Sequence, residues 1–550
     1  MYIICRHSTP ICWLRIGVVK LIGRGFSNEI SGSSGPQHIN TASKTIVIVG
    51  GGIGGLMFVI GLKRQLGFED FIIYEKASDI GGTWRENTYP GCASDIATHW
   101  YSLSNGSHPT LLQHDQHVVL NTEVVSAEWI ANQQHYRIII KDLVSGTQST
   151  ISARVLVCAT GILHVPCIPQ DLQGIDRFKG ESFHSARWNH EVDLSGKQVA
   201  VIGNGASASQ LIPMITRDSS VQVVNFCRTP AWFLPRSKRL YTDREKWVFA
   251  NIPFALRLYR NVAMFLNDAH YLVFMLKGKN LLRDITEGYC LQYMKRTAPT
   301  EYYEKLVPDI PLGCKRMIID TPGEGYLAAL HRPNMSINWD GIITITEDGI
   351  LTQKGDNIPF DVIIFATGFK TNNVPFRITG RDKRTLQDYY HSQGGATAYL
   401  GTTVSGFPNL YLISGPNTVT SHASVIFSEE VQINYIMQLI KPLLNGSVAS
   451  LEVTAEASDA YNDKIQARLA GSMYTYCTSW YLADGTKKIV APFPGPLILF
   501  WWLLRRPVWQ DYHAVDAERW MRQRRMEMFG WYLILLVSFL ILVHIISFLG

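Results

Sequence analysis

The sequence predicts an α/β protein with two dinucleotide-type parallel-sheet domains, one inserted in the other. Three observations carry this. Two stretches each read strand, glycine-rich loop, helix. Two others each end a strand in Ala-Thr-Gly. The chain has 550 residues, enough for two or three domains with sizeable cores.

The first unit is "KTIVIVGGGIGGLMFVIGLKRQLGFEDFIIYEK", residues 44–76. "TIVIV" is a buried strand, and the residues after the loop have helical spacing. Gly50, Gly52 and Gly55 form G-x-G-x-x-G. Such glycines allow a tight turn, close approach to a pyrophosphate, and close packing of helix on strand. The pyrophosphate meets the amide groups and positive dipole at the helix N-terminus. Glu75 ends the following strand, where a carboxylate binds a ribose hydroxyl. The motif is weak alone and specific in this order.

The second unit is "GKQVAVIGNGASASQLIPMI", residues 196–215, with Gly203, Gly205 and Ala208 in the motif positions. After the next strand, "VQVVNF", stand Cys227 and Arg228 in place of an acid. A guanidinium suits a 2′-phosphate, which favours NADPH over NADH. The alternative is a surface charge. An acid in the first unit and a base in the second imply NADPH passing a hydride to a bound flavin, FAD.

"LVCATGILHVPCIP" (156–169) and "VIIFATGF" (362–369) mark where the chain would leave and re-enter the flavin domain. The expected organisation starts with an extension and linker over 1–43. The FAD domain is built from two segments, 44–165 and 370–510, and the NADPH domain over 166–369 separates them. A helical insertion occupies about 240–305 of the NADPH domain, and a transmembrane segment covers 530–549.

Composition excludes several classes. Charged residues are 17% of the chain, against about 25% usually, so extensive buried or membrane-facing surface is expected. Net charge is +6 with both signs dispersed, so nucleic acid is not an expected partner. Nine cysteines contain no C-x-x-C pair, so zinc, a dithiol centre and a disulfide framework are unsupported and the cysteines are read as reduced. No metal is expected.

The ends carry targeting expectations. "FGWYLILLVSFLILVHIISFLG" is long and apolar enough for a span, with Trp531 and Tyr532 as a headgroup belt. Arg519, Arg522, Arg524 and Arg525 precede it. The expected location is therefore a membrane, by a C-terminal tail anchor, with the catalytic region cytosolic. Endoplasmic reticulum and mitochondrial outer membrane are left open. Residues 1–28 hold Arg6, Arg15, Lys20 and Arg24 and no acid, like a mitochondrial transit peptide. The alternative is an unstructured extension or a misassigned start codon.

"FKGESFHSARWN" (178–189) sets Phe178, Gly180, His184 and Trp188 at F-x-G-x-x-x-H-x-x-x-W. "GGTWRENTYPGCASD" supplies Gly82, Trp84, Tyr89, Pro90, Gly91 and Asp95, and "PLGCKR" and "CTSWY" follow later. In these motifs the chain resembles the type I Baeyer–Villiger monooxygenases over roughly residues 44–510, and "GPNTVTSHASVIF" and the "CTSWY…PFPG" region look most like fungal members. It departs from the family at Asn189, where proline or aspartate is usual, and at "PGEG" (322–325), where aromatic residues are usual.

The resemblance implies an FAD- and NADPH-dependent monooxygenase. In that chemistry O2 adds at the flavin C4a, and the resulting peroxyflavin attacks a ketone to give an ester or lactone. Arg316 would stabilise the negative charges, and Asp95 would hold it. His184 is a third catalytic-site candidate, with a conformational role between domains preferred over direct chemistry. Expected flavin contacts are Gly50, Gly52, Ile53, Gly55, Glu75, Lys76, Gly82, Thr83, Trp84, Asp95 and Tyr101. Expected NADPH contacts are Gly203, Gly205, Ala206, Ser207, Ala208, Arg228, Thr229, Lys315 and Trp480. The apolar helical insertion suits a lipophilic ketone. The alternatives are an N- or S-oxygenating class B flavin monooxygenase, a flavin reductase or oxidase, or an inactive membrane-anchored binding protein of the same fold.

Overall fold

The computed structural model describes residues 44–549 except 98–99, 104–116, 237–238, 276, 279, 315–316, 372–373, 421, 477–480 and 484. The expectations for residues 1–43 therefore lie outside the described residues.

The chain begins with β1 (Lys44–Val49), α1 (Ile53–Gly61) and β2 (Phe71–Tyr74). A two-residue strand β3 (Val118–Val119) follows, and then a meander of β4 (Thr122–Ile130), β5 (His135–Asp142) and β6 (Gln148–Cys158). β1 lies parallel between β2 and β6. Its alternate residues serve two cores. Ile46 and Ile48 pack with α1, while Val47 and Val49 join Trp129, Tyr136 and Ile138 of the meander.

The second sheet has five parallel strands. In chain order they are β7 (Glu181–His184), β8 (Gln198–Ile202), β9 (Gln222–Phe226), β10 (Met335–Asn338) and β11 (Val362–Phe365). Their spatial order is β10-β9-β8-β11-β7. Helix α2 (Ala206–Ile215) follows β8. Between β9 and β10 the chain forms helices that include α3 (Asp243–Asn251), α4 (Ala255–Asp268) and α5 (Leu281–Thr297).

The chain then returns to the first sheet. β12 (Arg377–Thr379) pairs with β4, and β13 (Leu410–Leu412) runs parallel to the end of β6. Helix α6 (Val425–Leu444) packs on α1 through Ile433 and Met437, and α7 (Leu497–Leu504) completes that core with Phe500 and Leu504. The two connections between the sheets run side by side. Val165–Pro166 pairs antiparallel with Phe369–Lys370.

The expected transmembrane segment is corrected here. Among the described residues no helix is long and apolar enough to cross a membrane. The apolar run is not a helix of its own. It continues α8 (Glu518–Leu549, 32 residues), whose first ten positions hold Glu518, Arg519, Arg522, Arg524, Arg525 and Glu527. These charges keep the helix as a whole from being uniformly apolar. Arg524 instead stacks on Trp509 and Trp520, 4.6 and 5.3 Å from their ring centres. The tail anchor and both membrane locations deduced from it fall with the segment.

The cysteines need a second correction. Cys92, Cys158, Cys167, Cys227 and Cys290 are free, but Cys314 is disulfide-bonded.

Candidate active site

Each glycine-rich loop is built against an Ala-Thr-Gly. Gly50 has φ +109°, and a Cβ there would stand 2.5 Å from the Ala159 carbonyl oxygen. Gly203 has φ +107°, and its Cβ would stand 2.6 Å from the Ala366 carbonyl oxygen. Both alanines directly follow the strand paired with the loop's own strand, β6 beside β1 and β11 beside β8. The tripeptide thus closes the floor under the phosphate turn, and only glycine fits above it.

The first loop opens on a cavity lined by Gly50, Gly52, Ile53, Glu75, Gly82 and Trp84, with Lys76, Thr83 and Tyr101 also on its wall. Gly55 sits one layer below, where a Cβ would be 2.1 Å from the Gly50 carbonyl oxygen. Glu75 is fixed in place, since its carboxylate accepts from the amides of Gly51 (2.7 Å) and Ala77 (2.9 Å). Trp84 donates to the Tyr101 hydroxyl at 3.2 Å, edge-on to its ring. A glycine cradle at a helix N-terminus, an oriented acid and an aromatic wall fit an adenine dinucleotide bearing a flavin.

On the second loop, Gly205 caps α2, so that Ala206, Ser207 and Ala208 form its first turn. The Thr229 carbonyl accepts from Asn204 at 2.7 Å, which ties the loop to the segment holding exposed Arg228. Cys227 beside it is buried, and burial pushes its thiol up to about 12.

Asp95 lies where the two domains meet. Its Oδ1 is 3.3 Å from Gln210 Nε2, on α2, and 3.7 Å from Arg236 Nη2. The cation expected beside it, Arg316, lies outside the described residues, as do Lys315 and Trp480. Gln210 is the hub. Its Oε1 accepts from the Tyr89 hydroxyl (2.9 Å) and the Ala93 amide (3.2 Å), and its Nε2 also donates to the Ala93 carbonyl. Gly91 permits this approach, because a Cβ there would stand 2.4 Å from the Gln210 carbonyl oxygen. Sequence reasoning missed Gln210 and Arg236. The available signal was an amide flanked by apolar residues in "SASQLIPMI".

Gln210→Leu keeps the bulk and removes four hydrogen bonds between the domains. FAD content should stay at the wild-type level. Flavin reduction by NADPH, followed in stopped flow, should slow by between about ten- and a hundred-fold, as for a misplaced donor.

The "FKGESFHSARWN" stretch meets the "GGTWRENTYPGCASD" stretch. Arg187 forms an ion pair with Glu86, and His190 Nε2 is 2.8 Å from Thr88 Oγ1. Gly180 lies where a Cβ would hit the Asp361 carbonyl oxygen at 2.4 Å and the Phe178 ring at 2.7 Å. Trp188 packs edge-on to Phe183. His184 is buried at the end of β7, and its Nδ1 accepts from the Ala186 amide at 3.1 Å. Burial lowers its pKa to about 4, so the ring is neutral near pH 7. It packs on Phe369, beside the paired connections, and is not on the cradle wall.

Residues 48–114 match the model of an NAD(P)-binding Rossmann-like domain, and residues 101–248 match that of the flavin-binding monooxygenase-like family. A Baeyer–Villiger monooxygenase of Pseudomonas aeruginosa is 33% identical over 485 residues, 84% of this chain and 88% of that one. One of Streptomyces coelicolor is 32% identical over 87% of this chain and 93% of its own length. An FAD-binding monooxygenase of Aspergillus niger is 30% identical, covering 86% and 83%. Among solved structures, a closed cyclohexanone monooxygenase superposes with TM-score 0.74 at 23% identity, over 86% of this chain and 99% of that one. A steroid monooxygenase bound to NADP gives TM-score 0.72 at 24% identity, over 86% and 100%. The cradle, the second dinucleotide loop and these likenesses agree: the chain belongs to the Baeyer–Villiger monooxygenase family and is an FAD- and NADPH-dependent monooxygenase.

Proposed function

We propose that the chain inserts one atom of O2 beside the carbonyl of a lipophilic ketone, giving an ester or lactone. The observation that carries this is the placement of Asp95. The carboxylate sits at the end of the flavin domain's "GGTWRENTYPGCASD" stretch and is gripped by Gln210 and Arg236 of the nucleotide domain. NADPH and FAD, when bound, supply the hydride and the activation of oxygen. The protein binds both, aligns them and places fixed charge where negative charge develops.

In this proposal the division of the chain is 44–165 and 370–510 for the flavin domain and 166–369 for the NADPH domain. Asp95 holds Arg316 toward the reacting oxygen. An arginine stays charged throughout, so it stabilises an anion without protonating it. His184, neutral and held by the Ala186 amide, fixes the hinge rather than moving protons.

Arg228, exposed after β9, takes the 2′-phosphate. Arg228→Ala is expected to raise the KM for NADPH by about tenfold or more and to leave that for NADH nearly unchanged, since a charge-assisted bond contributes about 1.5–3 kcal/mol. Equal losses with both nucleotides would remove Arg228 from that role.

The function is tested by product analysis. Purified protein with NADPH and O2 should convert members of a cyclic and long-chain ketone panel to products heavier by one oxygen. Oxygenation confined to sulfides or amines would replace the ketone assignment.

A further inference from the structure

The cradle cavity has a second acid that no motif announces. Glu429 stands in the second turn of α6 and lines the cavity with Gly50, Gly52 and Gly54. A Cβ on Gly54 would lie 3.6 Å from both Cδ and Oε1 of Glu429, so the carboxyl abuts the first turn of α1. Ser414 fixes it from the other side, with Oγ donating to Oε1 at 2.7 Å. Ser414 itself has φ +58° just after β13, a conformation uncommon for serine, and its amide is held by Gln432 at 2.9 Å. Oε2 makes no hydrogen bond with the described residues.

This is a costly place for a carboxylate. The amides of α1 attract the negative pyrophosphate, and an ionised acid beside it would repel the same group. Among the described residues no cation pairs with Glu429. α1 has no titratable side chain, and neither has α7. In the turn after α1, Lys63 is paired with Glu69, and Arg64 follows it. On α6 the neighbour is Glu430, another acid, and Lys441 is near the far end. Arg260 of α4 faces Glu430 and donates to the carbonyls of Ser102 and Leu103. Across the cavity stand Glu75, bound to its two amides, with Lys76, Arg85 and Glu86. Burial and Glu430 raise the Glu429 carboxyl to about 7, against the lowering by Ser414.

We propose that Glu429 holds the flavin cofactor as a neutral carboxylic acid, its Oε2–H donating to the dinucleotide at the pyrophosphate end, so that FAD is released when this acid ionises. The inference rests on the flavin assignment of the cavity. If only the protonated form binds, apparent affinity falls with the protonated fraction, which is tenfold per pH unit above the ionisation.

The test is the FAD dissociation constant of the full chain, from recovery of free-flavin fluorescence between about pH 6 and pH 9. In the wild type it should rise with pH toward about tenfold per unit. Glu429→Gln, which keeps the shape and a donor and cannot ionise, should bind FAD with no such slope. Glu429→Leu should bind weakly at every pH, also without slope. A wild-type constant independent of pH, or the same slope in Glu429→Gln, would overturn the proposal. Absence of flavin from the wild type at every pH would instead overturn the assignment of the cavity.

Discussion

Gly55→Ala is expected to give protein without flavin. The added Cβ would stand 2.1 Å from the Gly50 carbonyl oxygen, and Gly50 cannot retreat. Behind it the Ala159 carbonyl already sits where a side chain would go, and Ala159 continues β6, the central strand beside β1. Relief requires α1 to lift from β1, which opens the core of Ile46, Ile48 and Phe58. Overpacking of this kind costs about 1–3 kcal/mol, sometimes more. The larger effect is on the ligand, because the amides of the first turn move with the helix. The ratio of flavin to protein absorbance after purification should fall at least about tenfold, which requires the FAD dissociation constant to rise to about ten times the free FAD concentration. Full flavin occupancy in this variant would show that the turn yields without disturbing the cradle.

Arg316→Ala is expected to separate reduction from oxygenation. In the proposed arrangement Arg316 meets charge that appears only after the hydride has moved. Flavin reduction by NADPH should therefore remain within about threefold of wild type, while ester formation falls by about a hundredfold or more. NADPH should still be consumed, with hydrogen peroxide appearing in place of product. Asp95→Asn keeps the shape and removes the charge that steadies the arginine, so it should show the same split to a smaller degree. Unchanged ester yield in Arg316→Ala would move the oxyanion-stabilising role to another cation, and Arg236, 3.7 Å from Asp95, would be the first to test.

Much of the cradle was legible because its constraints are local. Gly50, Gly52, Gly55 and Glu75 belong to one strand-turn-helix-strand unit of about thirty residues, and their spacing is their geometry. The Ala-Thr-Gly tripeptides mark crossing points in the sequence, and in the fold they also form the floor beneath Gly50 and Gly203. That second role depends on which strands become neighbours, and no local pattern carries strand order. Gln210 and Arg236 reach Asp95 across more than a hundred positions, so nothing near either residue marks it. Glu429 was invisible for a related reason. On a helix an acid reads as solvent-facing, and only the packing of α6 against α1 turns it inward. The C-terminal run failed in the opposite sense. Its hydropathy is local, but the charged turns that look like its flank belong to the same helix.

The return of the chain to its first sheet bears on how the protein is made. β6 leaves the ribosome early, but a stretch of its edge stays bare until β13 pairs with Leu156–Cys158, some 250 residues later in translation. The core around α1 likewise waits for Tyr435, Ile436 and Leu439 of α6 and Phe500 of α7. A nascent chain therefore exposes a half-formed flavin site during synthesis of the whole inserted domain, whose own sheet can close first. Cofactor loading is then a late event in biogenesis, and chains arrested before α6 should emerge with a folded NADPH domain and no flavin.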